Sequence, residues 1–458
     1  MKQQELATQS IIQLLVKYSI PAIIGMLVNA LYNVVDRAFI GNIPDSGSLA
    51  ITGVGITMPI TTIILACGML VGVGTTASIS INLGQGNVRT AERFIGNNIT
   101  LSILVALLIT GLGLVFKTPI LKLFGASELT FPYANDYITI ILGGTLFNLL
   151  GYSLNSNIRA DGNPNMAAAT MVVGCILNII LDPIFIFGFG WGVKGAAIST
   201  VFSQAVTAVW VLMYFALKKS NLTLHREDLK LDLSLVKQIL AIGSAPFAMQ
   251  LAASLVQVIS NNVLKTQGGD LAIGAMATIS AISMLFLMPI FGVNQGAQPL
   301  IGYNYGAREY KRANQAFIYS VLLSSLFLTL GFIVIEFFPE MIISIFNRDP
   351  QLMTITVRGI RIYLFMFPLV SISITGSTYF QSIGKARIAM LLSLLRQLIL
   401  LVPLLLIFPL FLGLDGVWVA QPVSDFLALS ITLIFIIREF RKMNQMENEK
   451  LVTKKLSQ

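Results

Sequence analysis

Two aspartates lie in stretches of the chain that are otherwise apolar, Asp36 and Asp182. An ionisable group is costly inside a membrane span, so each acid is a candidate functional residue. Asn178 precedes Asp182 by four residues, which places both side chains on one face of a helix. Thr200 lies in the next apolar segment. The spacing therefore predicts that three helices point oxygen ligands into one pocket.

Carboxylate, amide and hydroxyl oxygens are hard ligands of the kind that Na⁺ prefers, and two close carboxylates could instead share a proton. The sequence thus leaves H⁺ and Na⁺ open, with a possible Na⁺ site at Asp36, Asn178, Asp182 and Thr200. Structural alternatives also stay open. Asp36 could be a paired charge, Asp182 could cap a helix, and the two neutral residues could form ordinary interhelical hydrogen bonds.

The composition places these residues in a membrane protein. The chain has 458 residues, of which 55% are hydrophobic and 11% are charged, against roughly 25% charged in a soluble protein. The net charge of +9 falls in short loops between apolar runs, which is typical of the cytoplasmic loops of a membrane protein rather than of a nucleic-acid-binding face. Enzymatic function is not expected, because the sequence contains no nucleophile triad and no Walker A string.

Twelve segments have the roughly 20 apolar residues that a membrane-spanning helix needs. They are residues 11–40, 49–82, 94–116, 133–158, 165–189, 192–217, 236–265, 270–304, 313–338, 359–383, 388–411 and 414–437. The predicted fold class is an all-α membrane protein of twelve transmembrane helices in two pseudo-symmetric six-helix lobes.

Lysine and arginine are concentrated in alternate loops. One side has Lys2, Lys218, Lys219 and most of the others, whereas the opposite side has few, such as Arg348. The positive-inside rule then places both termini in the cytoplasm of a multi-pass protein of the cell inner membrane. The predicted domains are an N-lobe at 1–218, a cytoplasmic inter-lobe loop at 219–235, a C-lobe at 236–440 and a cytoplasmic tail at 441–458.

The two halves are related by an internal repeat. Leu49-Ala-Ile51 recurs at Leu271-Ala-Ile273, an offset of 271 − 49 = 222, and Gly162 recurs at Gly384 with the same offset. An ungapped register that holds at glycines and loop positions is unlike chance similarity. Two repeated six-helix halves favour alternating access to a site near the midplane.

A second set of residues is predicted to line a substrate cavity. Polar side chains in the eighth span suit a cavity wall, methionines could form an adaptable surface for varied apolar cations, and Arg396 could either face the cavity or extend to an interface. The predicted cavity residues are Met26, Asn33, Met249, Met284, Met288, Asn294, Gln298, Tyr303 and Arg396.

The chain resembles the multidrug and toxic compound extrusion (MATE) family, particularly its MepA-like, DinF-related bacterial branch. The motifs that carry the resemblance are Val35-Asp-Arg-Ala-Phe-Ile-Gly41, Gly84-Gln-Gly-Asn87, Ile158-Arg-Ala-Asp-Gly-Asn-Pro164, Leu177-Asn-Ile-Ile-Leu-Asp-Pro183 and Gln381-Ser-Ile-Gly-Lys385. The resemblance runs from about residue 11 to residue 440.

The resemblance implies a V-shaped pair of lobes and cation-coupled drug efflux. It implies that Asp36 is central to coupling, and that Asn178, Asp182, Thr200 and the carbonyl of Ala196 form the cation site. Another branch carries acids in spans seven and ten; these are absent here, so coupling is expected in the N-lobe only. The expected function is an antiporter that exports cationic amphiphilic drugs in exchange for H⁺ or Na⁺, as a monomer and without a cofactor. The alternative is a flippase of lipid-linked oligosaccharides.

Overall fold

The computed structural model describes residues 6, 8–44, 46–217, 220–345 and 349–456, with side chains as far as residue 449. Lys2, Lys218, Lys219 and Arg348, which entered the charge argument, lie outside the described residues. So do the predicted domain limits at 218 and 219. The orientation of the termini and the predicted domain limits therefore stay predictions.

Most of the described residues lie in helices, which are joined by short turns. In chain order the α-helices are α1 Ile11–Gly41, α2 Gly47–Gly84, α3 Val88–Leu123, α4 Phe131–Ala160, α5 Pro164–Pro183, α6 Gly192–Ala216, α7 Leu233–Gly306, α8 Tyr310–Phe337, α9 Pro339–Ile343, α10 Pro350–Tyr363, α11 Phe367–Ser382, α12 Ala386–Leu394, α13 Leu401–Leu412 and α14 Leu414–Leu456. Two π-helical turns follow α5 and α12, at Ile184–Gly188 and Leu395–Leu400, and a 3₁₀ turn lies at Arg226–Leu229.

Ten of the helical stretches in the described residues are long and apolar enough to span a membrane. The pair α10 and α11, bent by 55° at a short break, makes one further span. α7 has 74 residues and contains Gly269 in a non-helical conformation (φ 65°, ψ −156°). Since 74 residues would extend roughly 110 Å, nearly four bilayer cores, α7 must contribute two spans that meet at this glycine. Twelve spans result, which confirms the predicted fold class.

The backbone repeats with the offset seen in the sequence. Gly162 and Gly384, which are 222 residues apart, both have positive φ (91° and 77°) at the end of a helix. Gly86 (φ 80°) and Arg308 (φ 58°) form a second pair with the same offset, 308 − 86 = 222. A non-glycine residue seldom adopts positive φ, so its presence at the equivalent turn shows that the turn geometry itself is repeated.

Contacts divide the chain into two compact units. The N-unit is Ile24–Phe247, and the C-unit is the chain up to Ile23 together with Ala248–Gln458. Each unit has its own buried apolar clusters, such as the one around Ile40, Tyr137 and Ile186 in the N-unit. Unit boundaries thus fall inside α1 and α7.

The segment between α6 and α7 docks onto the start of α3 within the N-unit. Arg89 binds Asp228 (2.7 Å), and Arg93 binds Asp232 (2.6 Å). The backbone of the segment also comes so close to α3 that a Cβ on Gly96 would lie 2.2 Å from the carbonyl oxygen of Asp228. Hydrogen bonds from Ser234, through its hydroxyl and its backbone N–H, lower the pKa of Asp232.

Candidate functional site

Asp36 lies on α1 of the N-unit, five residues before the end of the helix at Gly41. At 1.5 Å per residue this is roughly 8 Å from the helix end, so Asp36 lies late in the first span. Its carboxylate is buried, and its Oδ1 has no hydrogen-bond partner in the described part of the chain. Arg37 points elsewhere and contacts the Sδ atom of Met58 at 3.6 Å. Asp36 is therefore a buried acid with unused hydrogen-bonding capacity.

Asp182 lies near the end of α5 and is fully buried. The carboxyl groups of Asp36 and Asp182 are within hydrogen-bonding distance of each other. Two carboxylates without a shared proton cannot form a hydrogen bond, because both are acceptors. The structure thus brings together the two acids that the sequence singled out.

Asn178 and Ser199 hold the Asp182 carboxylate from two helices. In the amide orientation that satisfies both ends of the Asn178 side chain, its nitrogen donates to Asp182 Oδ2 (3.0 Å), and its oxygen accepts from Ser199 Oγ (2.9 Å) and from the backbone N–H of Thr200 (3.2 Å). The Ser199 hydroxyl also lies against Asp182 Oδ1. The amide and the hydroxyl therefore fix the position of the carboxylate.

A close helix approach brings α6 to Asp182. A Cβ on Gly195 would lie 2.6 Å from the backbone of Phe185, so only glycine lets α6 start against the π-helical turn that follows Pro183. Ala196 is buried directly after this contact, and its carbonyl oxygen lies 3.3 Å from Ser199 Oγ. π-Helical turns of this kind are frequent at functional sites.

Two tyrosines, Tyr32 and Tyr137, lie near the acid pair. Tyr32 precedes Asp36 by four residues on the same face of α1, and its hydroxyl lies near Thr200. Tyr137 of α4 is buried in the same apolar cluster as Ile40 of α1 and Ala196 of α6. All five predicted coupling residues are thus brought together within the N-unit, although their role in coupling stays a prediction.

Sequence reasoning missed Ser199, Tyr32 and Tyr137. Ser199 is adjacent to Thr200 and Tyr32 is one helical turn before Asp36, so periodicity could have found both. Tyr137 carried no such signal, because its approach depends on how α4 packs.

The predicted cavity residues are distributed over both units. Met26 and Asn33 lie in the N-unit, and the other seven lie in the C-unit. Asn294 and Gln298 are buried, whereas Met284 is half-exposed. Neither polar atom of the Asn294 amide has a hydrogen-bond partner among the described residues. Their assignment to a substrate cavity stays a prediction.

One buried acid well inside a span was overlooked. Asp425 lies on α14 and is buried, and its Oδ1 atom is 3.6 Å from Nη1 of Arg396. Its position eleven residues into an apolar span was visible in the sequence. The statement that Asp36 and Asp182 are the acids of the predicted spans was therefore incomplete.

The fold and the site define a polytopic α-helical membrane protein with duplicated halves and a buried acid pair in one of them. The family model described as MatE matches residues 21–184 and 246–407, once in each half. These matches cover most of the chain, which therefore belongs to the MatE family of membrane transporters.

Two named transporters are similar to the chain over nearly its whole length. It is 28% identical over 426 residues to the multidrug export protein MepA of Staphylococcus haemolyticus, covering 92% of this chain and 93% of that protein. It is 26% identical over 427 residues to the FAD transporter of Shewanella oneidensis, covering 91% and 92%.

Solved structures agree over the same length. The chain is similar to a MATE transporter in complex with MaL6, with a TM-score of 0.91, 25% identity and coverage of 97% and 100%. It is also similar to a MOP superfamily transporter from Pyrococcus furiosus that is described as having a binding pocket of reversed polarity (TM-score 0.91, 26% identity, coverage 97% and 99%). The twelve-span, two-lobe fold is thus shared with known transporters.

Proposed function

We propose that the protein is a secondary multidrug exporter, which moves organic cations out of the cell in exchange for H⁺ or Na⁺. The observation that supports this most directly is the hydrogen-bonding approach of Asp36 to Asp182 in a buried site. The similarity to multidrug export proteins over 92% of the chain supports the substrate class.

The acid pair binds the coupling ion. Two ionised carboxylates so close together repel each other, and a proton or a Na⁺ ion removes this repulsion. The amide of Asn178, the hydroxyls of Ser199 and Thr200, and the carbonyl of Ala196 supply further oxygen ligands, which are the donors that Na⁺ prefers. Asp36 Oδ1 has no hydrogen-bond partner among the described residues, so this oxygen can be one more ligand of the ion.

Ion binding then drives the substrate by alternating access between the two sides of the inner membrane. One charge that crosses 100 mV supplies about 2.3 kcal/mol, and a tenfold ion gradient supplies about 1.4 kcal/mol. One-to-one exchange against a monovalent organic cation moves no net charge. The chemical gradient alone then supports about a tenfold gradient of the drug.

The test is ethidium transport in proteoliposomes in which pH and Na⁺ are varied independently and the membrane potential is clamped. Wild-type protein should transport ethidium in response to one of the two ion gradients, and Asp36→Asn and Asp182→Asn should not. Asp136→Asn is the matched control, because Asp136 is a partly exposed carboxylate that pairs with Lys194 outside the site. Transport by Asp36→Asn at the wild-type rate would refute the assignment.

A flippase of lipid-linked oligosaccharides is the second candidate. It would commonly use two further spans, whereas the described part of this chain accounts for twelve. Transport of ethidium by the purified protein in proteoliposomes would separate the two functions.

A further inference from the structure

The C-unit contains a charged pair that the exchange cycle above does not use. Arg396 lies in the π-helical turn Leu395–Leu400, ten residues after the start of α12 at Ala386, and Asp425 is eleven residues after the start of α14. Either distance is roughly 15 Å along a helix, about half of the hydrocarbon thickness. Two full charges near the midplane are costly unless they bind something.

The contact between the two residues is a weak one. Arg396 Nη1 and Asp425 Oδ1 are 3.6 Å apart, whereas a bidentate arginine–carboxylate pair has N–O distances of about 2.7–2.9 Å. In the described residues the guanidinium donates no hydrogen bond, and its side chain remains 15% exposed. The strong, directional donors of Arg396 are therefore not used in hydrogen bonds among the described residues, and they are partly exposed.

Asp425 does not depend on Arg396 for its hydrogen bonds. Gln421, one turn earlier on α14, donates from Nε2 to both carboxylate oxygens, at 3.1 Å and 3.2 Å. The turn that carries Arg396 is fixed separately, because the Ser424 hydroxyl donates to the Arg396 carbonyl at 2.8 Å. A ligand can therefore take over the guanidinium while the carboxylate stays in place.

We propose that Arg396 and Asp425 form a second ligand site, which binds zwitterionic substrates that carry both an acidic group and a cation. The guanidinium takes the carboxylate or phosphate of the ligand, since its fork matches these groups. A simple anion would leave two negative charges beside one positive charge in a medium of low dielectric constant. A ligand that brings its own cation places that cation beside Asp425 and balances the charges.

This inference rests on the proposed export of organic ions. A matched pair of dyes tests the second ligand site separately from cation export. Tetramethylrhodamine is a zwitterion with a free carboxylate, and tetramethylrhodamine methyl ester is the corresponding cation. Fluorescein carries the carboxylate without the cation. Binding of each dye to purified protein is measured by fluorescence anisotropy, and transport is measured in proteoliposomes.

Wild-type protein should bind both rhodamines and bind fluorescein more weakly. Arg396→Gln should weaken binding of the zwitterion at least tenfold, because one charge-assisted contact is lost, and should strengthen binding of the ester, because Asp425 is left unbalanced. Asp425→Asn should strengthen binding of fluorescein. These opposite changes cannot arise from misfolding.

The double variant Arg396→Gln/Asp425→Asn leaves no lone buried charge and is the control for folding. It should bind the ester within twofold of wild type and lose the zwitterion. Equal changes for both rhodamines in either variant would overturn the proposed site. Binding of the ester with rejection of the zwitterion by wild type would overturn it while leaving cation export intact. Failure to bind either dye would refute both proposals.

Discussion

The pair formed by Asp36 and Asp182 makes a prediction in which stability and activity change in opposite directions. Asp36→Asn keeps the shape of the side chain and removes one of two close negative charges. The new amide can donate a hydrogen bond to Asp182, which a second carboxylate cannot do unless it is protonated. We therefore expect a protein that is more stable than wild type and inactive in exchange.

The size of the stability change follows from the short distance between the Asp36 and Asp182 carboxylates. Two unit charges at a hydrogen-bond separation of about 3 Å repel by about 5 kcal/mol at an effective dielectric constant of about 20. This value is an upper bound, because a proton or a cation bound by the wild-type protein would relieve the repulsion. If about 1 kcal/mol of it remains, the melting temperature of the variant should rise by about 1–2 °C in a chain of this length.

Two measurements on the same preparations decide the prediction. Thermal unfolding is followed by intrinsic fluorescence in detergent at neutral pH without Na⁺, and ethidium transport is followed in proteoliposomes. Asp136→Asn is the control, and its exposed pairing with Lys194 should contribute less than about 1 kcal/mol. A lower melting temperature for Asp36→Asn than for wild type, or undiminished transport, would show that repulsion between the two acids is not the basis of the site.

Three further predictions follow from single contacts. Ser199→Ala removes a hydroxyl that lies against the Asp182 carboxylate and should lower the free energy of unfolding by about 1.5–3 kcal/mol, measured by thermal melts. Gly243→Ala would place a Cβ 1.7 Å from a backbone carbonyl of α2 and should reduce folded yield in size-exclusion chromatography, whereas Gly55→Ala, with open space around it, should not. The pKa of Asp232 is lowered in the folded protein, so the ionised carboxylate stabilises the fold at pH values above its ordinary pKa of about 4. This stabilisation is lost as the pH falls below that value. Hydrogen exchange of residues 220–232 should therefore accelerate at low pH, and Asp232→Asn should abolish this pH dependence.

The spans could be predicted from the sequence because apolar length alone determines them. The predicted span 49–82 corresponds to α2 at Gly47–Gly84, and the split between 265 and 270 corresponds to the break at Gly269. The predicted tenth span at 359–383 corresponds to the bent pair α10 and α11, which together make one broken span. The helix breaks between Tyr363 and Phe367, and Pro368 gives the physical reason. A proline has no N–H to donate to the carbonyl four residues earlier, here that of Leu364, and its ring would clash with that carbonyl in a continuous helix.

Helix ends outside the hydrocarbon were harder to predict. α14 continues to Leu456, although the apolar pattern stops near residue 437. Beyond that point the helix is polar and has no hydropathy signal, and ion pairs hold it, such as Glu439 with Lys385. Hydropathy identifies the apolar part of a helix that lies in the bilayer, so it does not predict polar extensions of this kind.

The candidate site could be predicted in its composition but not in its geometry. The spacing of Asn178 and Asp182 places them on one helical face, whatever the tertiary structure. The approach of Asp36 depends on the packing of α1 against the pair α5 and α6, whose own close contact forms at Gly195. Sequence spacing contains no information about contacts between helices that are more than a hundred residues apart.

The repeat shows why the acids themselves could not be found by symmetry. At the offset of 222 residues, Asp36 corresponds to Val258 (36 + 222) and Asp182 corresponds to Leu404 (182 + 222). In the opposite direction, Asp425 corresponds to Ser203 (425 − 222). At the positions of these three buried acids, the other half therefore has uncharged residues.

This arrangement follows from the cost of buried charge. Turn geometry, such as that at Gly162 and Gly384, can be duplicated without penalty, because it involves only the backbone. An ionisable group in a span is tolerated only where an ion or a partner compensates it, so duplicated acids without separate roles would destabilise the fold. The charged groups of the two units differ accordingly. The acid pair of the N-unit suits a small cation, and the arginine–aspartate pair of the C-unit suits a ligand that carries both charges.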